Sequence, residues 1–427
     1  MKSKLASFST ALITVLISAL LFSCKNTDSP VGPVDEPDIT NGRITVTNGT
    51  MALDARVKYY DDTTIPVDTT GLRKGQSQSR AAAVTLKLRA EVSPPVSGGT
   101  TLQATHVALD GNYAYVSYNV QGNTYLGGVD VFDISNKKKP KLISQAIFQT
   151  TDVSALYYSS VSGPDKLYLA EATSDTGFYY GGIPVTAVLE EITLNSNKLT
   201  LTSRRVAVPS FVATDVKVIS GKVYVTSGSG GVGTGGLSIL SQTTLLPIVL
   251  ADPFLDARAV DIYGSSIVAM QGTPARLRKY DVATNAFQTS YTVGGATIAE
   301  SKSTLTVLFN RALVAVGDGG MKVVNLQTGA LTDSVARASV SGLTPDKTVT
   351  NAVSVNNKLV FLANGEAGVY VVQSAVDLET TPTGATNLTL QGKMQFGSAQ
   401  SANFVASKNS LLFIATGLGG LKIVEIL

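Results

Sequence analysis

The chain has 427 residues, of which 44% are hydrophobic and only 15% charged, with a formal net charge of +3. It is large enough to be modular, it can bury an extensive core, and it lacks the basic blocks that mark a nucleic-acid binder. Trp is absent and His and Cys occur once each, which rules out an internal disulfide and gives poor support to zinc or haem sites built from several such residues.

Residues 1–4 carry two lysines, and residues 5–20 form an apolar run. The run is shorter than the ~20 residues a membrane-spanning helix needs, and it reads as a secretory signal. It ends in Leu21-Phe22-Ser23-Cys24, which resembles a bacterial lipobox, with Phe22 bulkier than is usual at that place. The resemblance implies that residues 1–23 are a signal peptide and that Cys24 is lipidated. Several acyl chains anchor a protein stably where one does not. Lys25-Asn26 follows the cysteine in place of an aspartate, which implies the outer membrane as destination, with the lipid as the only membrane contact.

Residues 24–40 read as a tether, holding Pro30, Pro33 and Pro37 among small and acidic residues. Residues 43–47 alternate, Asn48-Gly49 offers a turn, and residues 53–60 alternate again. That pattern predicts a small hairpin within residues 41–83, followed by a polar linker over 71–80. A lone hairpin is marginal in water, so it is expected to dock on the main domain or stay poorly ordered.

From residue 84 to 427 the pattern is all-β. Short alternating runs are separated by Gly, Asn, Asp and Ser turns, with no sustained helical period. The most distinct unit is Gly127-Gly128-Val129-Asp130-Val131-Phe132-Asp133-Ile134-Ser135-Asn136. Glycine-led relatives recur at Gly235-Gly236, Gly319-Gly320, Ala367-Gly368 and Gly419-Gly420, and weaker ones near Ala187 and Leu277. A one-strand unit repeated at such intervals marks a repeat architecture. Four strands per unit in up-and-down order make a propeller blade, and seven units predict a seven-bladed β-propeller. The glycines let the backbone turn and approach the next sheet closely. The last unit supplies three strands, so residues 84–92 are expected to close the ring as its outer strand.

The unit that starts at Gly127, with Pro140 after it, resembles the LVIVD repeat of bacterial surface β-propellers. The resemblance spans about residues 84–427 and weakens outside the first blade, where Ser241, Asn325 and Gln373 replace the acidic residue. It implies a propeller at a bacterial surface and no particular activity.

Chemistry-bearing constellations are sparse. His106 lies in an innermost strand with no Gly-x-Ser-x-Gly turn near it, which fits a structural histidine better than a hydrolase triad. No cofactor or metal is expected; a calcium site around Asp318-Gly319-Gly320 stays open beside the turn chemistry that also explains those residues. The glycine-rich stretch 227–236 lacks the Gly-Lys-Ser/Thr ending and the following helix of a phosphate loop.

The loops between second and third strands are long in the first three units and short in the last three. Aligning the starts of the innermost strands puts Thr105, Asp152, Thr214, Arg258, Thr304, Asn351 and Asn403 in one polar register around the channel mouth. Any propeller has a wet channel mouth, so the register alone does not separate ligand binding from hydration. More than half of the tyrosines lie between Tyr113 and Tyr180, and Tyr125, Tyr179 and Tyr180 sit on long loops. Tyrosine suits binding surfaces. The expected function is a non-catalytic, monomeric, envelope-anchored binding or scaffolding protein. It would meet a protein or peptide through His106, Tyr125, Asp152, Tyr179, Tyr180, Asp215 and Arg258. A glycan ligand is the alternative, weakened by the absence of Trp. A lyase or glycosidase built on Asp152, Asp215 and Arg258 would need two carboxylates close together.

Overall fold

The computed structural model describes residues 35–69, 84–160, 163–228, 235–295, 301–397 and 400–427. The chain divides into two units, Met1–Asp35 and Glu36–Leu427; the second is described below. The expected signal peptide, Cys24, the linker 71–80 and the middle of the loop 227–236 lie outside the described residues.

Seven antiparallel sheets follow one another along the chain. The first blade is built from Gln103–Asp110, Tyr113–Asn119, Gly127–Asp133 and Lys141–Phe148, from the channel outward. The innermost strands of the next five blades are Thr151–Ser159, Val212–Ile219, Ala257–Tyr263, Leu305–Leu308 and Ala352–Asn356. The seventh blade holds Phe404–Lys408, Leu411–Ala415 and Leu421–Ile426. Alternation along each strand buries both faces between neighbouring blades. Tyr115, Tyr168 and Phe361 are fully buried this way.

Leu86–Val92 closes the ring. It pairs antiparallel with Leu421–Ile426, from Leu421 opposite Val92 to Ile426 opposite Leu86. It is the fourth strand of the blade but not the outermost, because Val57–Ile65 pairs along its far side.

That fifth strand corrects the expected hairpin. Ile44–Thr47 and Val57–Ile65 do not pair with each other. Ile44–Thr47 adds to the outer edge of the first blade, against Lys141–Phe148, and Val57–Ile65 adds to the seventh. Between them Thr50–Asp54 forms one helical turn, and its Leu53 is buried in a core shared by both blades, with Val92, Leu142 and Phe413. Further on, Asp68 exchanges backbone hydrogen bonds with Lys393 in the outer strand of the sixth blade. Outer blade edges carry unpaired amides and carbonyls, and a segment that pairs with three of them forms a strap across the closure. Ile39–Thr40, expected in the tether, is the first strand of this strap.

The glycines act within a blade more than between blades. A Cβ on Gly320, Gly368 or Gly420 would stand 2.3, 2.0 and 2.0 Å from the carbonyl oxygens of Val335, Met394 and Val92, each in the fourth strand of its own blade. In the first blade the expected approach to the next sheet is present, where a Cβ on Gly127 would lie 2.4 Å from Thr151 O.

Candidate functional site

The innermost strands of the first four blades share a β-bulge near their starts. The register shifts between Ala104 and His106, Val153 and Ala155, Ala213 and Asp215, and Ala257 and Ala259. A bulge re-aims the extra residue out of the ladder. The four extra residues are Thr105, Ser154, Thr214 and Arg258, and all four line a cavity of about 710 Å³ at the channel mouth on the long-loop side. Lys302, Asn351, Glu366 and Asn403 complete much of its wall. The polar register thus exists in part: Ser154 stands in the second blade in place of the expected Asp152, and Thr304 is buried and does not line the mouth, which Lys302 lines instead.

Its charges are largely engaged. Arg258 donates to Asp256 at 2.5 Å and to the Ser301 carbonyl at 2.8 Å. Lys347 pairs with Glu366 at 3.1 Å. Lys302 donates to the Ser154 carbonyl at 2.5 Å, and burial lowers its ammonium to about 8.

The two aspartates serve the backbone. Asp152 accepts from the amides of Val120 and Leu126, at 3.3 and 3.2 Å, and so pins both ends of the first long loop. Burial raises its carboxyl to about 6 against the pull of those amides. Asp215 accepts from its neighbour Val216 at 2.8 Å and from Val260 in the next blade at 3.0 Å. Asp261 repeats the link one blade on, accepting from Val307 at 2.8 Å. Hydroxyls and amides continue it. Thr105 donates to Val153 O at 3.1 Å, Thr306 to Val353 O at 2.8 Å, and Asn403 to Ala104 O at 3.1 Å across the closure. These polar side chains stitch adjacent blades around the channel. Asp152, Asp215 and Arg258 therefore form no single catalytic or binding constellation.

Tyr125, Tyr179 and Tyr180 are not among the residues that line the mouth. Tyr125 is half-buried at the end of its loop. Tyr179–Tyr180 pairs with Ile183–Pro184 in a two-residue hairpin turned by Gly181 and Gly182, both at positive φ (59° and 80°), as such tight turns demand. Tyr179 is 60% exposed and Ile183 42% exposed. Thr186 donates at 2.7 Å to the carbonyl of Phe211, which is itself exposed. The hairpin and Phe211 thus expose apolar side chains, which tyrosine counting alone finds only in part.

His106 belongs to another place. It lines a second cavity of about 360 Å³, formed by the far halves of the inner strands, with Tyr157, Lys217, Asp261, Ser354 and Phe404. Its ring lies 4.1 Å from that of Phe404, centre to centre. Burial, with Lys302 and Lys217 nearby, pushes its pKa well below the usual 6.5, so the imidazole is neutral. Lys217 and Lys302 were absent from the sequence expectation. The signal was a lysine between Val216 and Val218 in an innermost strand, where only the channel can receive a charge. Among the described residues no group of three or more His, Cys, Asp or Glu is placed to hold a metal ion, and no helix is long and apolar enough to cross a membrane.

The fold and its central channel define a seven-bladed β-propeller. The chain is similar in fold to the RRP9 WD40 repeats, with a TM-score of 0.55 and 11% identity over 79% of this chain and 100% of that one. It is also similar to a chain in the crystal structure of the Mitotic Checkpoint Complex, with a TM-score of 0.53 and 12% identity over 86% of this chain and 97% of that one. At such identity the likeness is one of fold alone. No family model and no curated protein matches the sequence.

Proposed function

We propose that this protein is a non-catalytic binding or scaffolding lipoprotein of a bacterial envelope, anchored through Cys24, that recognises a protein partner with its long-loop face. The observation that carries this reading is the hairpin of Tyr179, Tyr180, Ile183 and Pro184, which holds Tyr179 and Ile183 in solvent. Exposed apolar side chains grouped on one loop face, next to a polar recess, fit a protein-binding patch. Supporting the anchor are the apolar run and the lipobox-like Leu21-Phe22-Ser23-Cys24. The resemblance of the first blade to the LVIVD repeat is in keeping with a surface location.

A photo-crosslinking residue placed at position 179 tests the partner directly. It is expected to trap a defined protein in envelope preparations, while the same residue at position 358, in the tight turn Asn356-Asn357-Lys358 on the opposite face, traps none. Equal trapping at the two positions would reject the loop face as the binding surface.

A further inference from the structure

The cavity that holds His106 has its own chemistry, independent of the loop face. Its volume of about 360 Å³ lies in the range of small-ligand sites, roughly 300–1,000 Å³. Lys217 projects into it from the innermost strand of the third blade.

The acceptors around this lysine are already engaged elsewhere. Asp261 takes the amide of Val307 at 2.8 Å, and Asp215 takes two amides. Thr306 donates to the Val353 carbonyl, while the Ser354 and Ser407 hydroxyls bond each other at 2.7 Å. Among the described residues the Lys217 ammonium makes no hydrogen bond and no ion pair within 4.0 Å. Its remaining contact is the Tyr157 ring, 5.3 Å away. Burial opposes its charge, but Asp215 and Asp261 more than offset that and keep it protonated. On the wall beside it His106 is 5% exposed, and its Nδ1 is buried without a hydrogen-bond partner. Lys302 enters from the mouth side, and its charge is felt at His106.

The half-buried Lys217 ammonium brings three N–H bonds and no lone pair to this cavity, so an acceptor that enters the cavity can meet it. Asp110 and Asp261 also line the cavity, but the first is exposed at the rim and the second faces its backbone amide. We infer that the cavity at the short-turn end of the channel binds a small oxyanion, a carboxylate or a phosphate, on the Lys217 ammonium with His106 beside it.

The chain offers a clean probe, since His106 is its only histidine. The full chain, labelled with ¹³C in histidine, would be titrated at one fixed pH with sodium phosphate, with sodium acetate, and with sodium chloride at matched ionic strength. A saturable shift of the His106 ring signal is expected with phosphate or acetate and not with chloride, and the two arms tell phosphate from carboxylate. Lys217→Gln is expected to weaken binding at least tenfold, about 1.4 kcal/mol, and Lys217→Arg to retain it. The inference is overturned if neither oxyanion shifts the signal, if chloride shifts it equally, or if Lys217→Gln titrates like the wild type. Should Lys217→Gln fail to fold, the wild-type titrations and Lys217→Arg decide the matter.

Discussion

Arg56 donates from both terminal guanidinium nitrogens to the carboxylate of Asp130, at 2.8 and 2.7 Å. Asp130 sits inside the glycine-led repeat of the first blade and is fully buried. Arg56 belongs to the strap, just past its helical turn. The same strap carries Arg43, which grips Glu190 of the second blade at 2.8 and 2.5 Å. The strap is thus fixed by charge to two blades and by strand pairing to the edges of the first, sixth and seventh.

Removing one partner of such a pair leaves a buried charge unmet. Burial alone would lower the pKa of Arg56, and the Asp130 carboxylate reverses that and raises it. Arg56→Ala is expected to cost about 3 kcal/mol or more, while Arg56→Met with Asp130→Leu costs much less. Urea unfolding of the two variants checks this. Equal losses would show that the pair itself, and not the orphaned carboxylate, carries the stability.

Truncation separates strap from closure. Deleting residues up to 83 removes the strap and is expected to give a folded ring with a lower melting temperature. Deleting through Val92 also strips the fourth strand from Leu421–Ile426 and exposes apolar strand edges, which favours aggregation. The two truncated chains compared by calorimetry and light scattering should differ sharply. Similar behaviour would mean that residues 84–92 do not hold the ring shut.

Much of this architecture is legible in the sequence because propeller blades are local. Strand alternation, turn residues and the recurring glycines give seven blades, and the three-stranded last unit calls for Leu86–Val92. The strap is not legible, since 43–47 and 53–60 satisfy hairpin rules locally. Only the open edges of three assembled blades compete for those strands. The bulges at Thr105, Ser154, Thr214 and Arg258 leave no mark in the residue pattern either, and nothing in it separates Asp152 from Ser154, two residues on. Asp215 and Asp152 look like site residues from their polarity, while their amide partners lie 45 residues along the chain or across a long loop. Lys217 is the opposite case, a charge among valines that the pattern does display.

The glycines make a graded prediction. Gly111 sits at φ +49 with nothing within 4 Å of an added Cβ, so Gly111→Ala is expected to cost about 1–2 kcal/mol for the left-handed backbone alone. Gly420, at φ +70, would also drive a Cβ into the Val92 carbonyl at 2.0 Å. Gly420→Ala should be at least twice as costly in denaturant unfolding. A smaller loss than that of Gly111→Ala would contradict the packing described for the closing strand.

Glu171 and Glu190 are both buried in the second blade, near Arg43 and Arg205. Burial raises the Glu171 carboxyl well above its usual 4.5, and the Glu190 charge adds to this. The folded state therefore holds a proton that the unfolded chain releases above 4.5. The stability this proton contributes is fully present below 4.5 and is lost as pH rises through the folded value. Glu171→Gln removes the titration. Its melting temperature at neutral pH should equal or exceed the wild type's and should change less with pH above 4.5. A lower neutral melting temperature with an unchanged pH slope would show that Glu171 is ionised and paired in the fold.

Affinity capture from envelope extracts reads out whether the long-loop face recognises a protein. Three baits are compared by quantitative mass spectrometry: the wild type, Tyr179→Ala with Ile183→Ser, and Lys222→Ala with Lys358→Ala on the opposite face. Truncating an anchor at an interface costs about 2 kcal/mol or more, enough for a loss of tenfold or greater. If the loop face is the binding surface, a protein is captured by the wild type and by the lysine variant and is depleted at least tenfold with the hairpin variant, at unchanged melting temperature. Undiminished capture by the hairpin variant, with loss in the lysine variant, would contradict it.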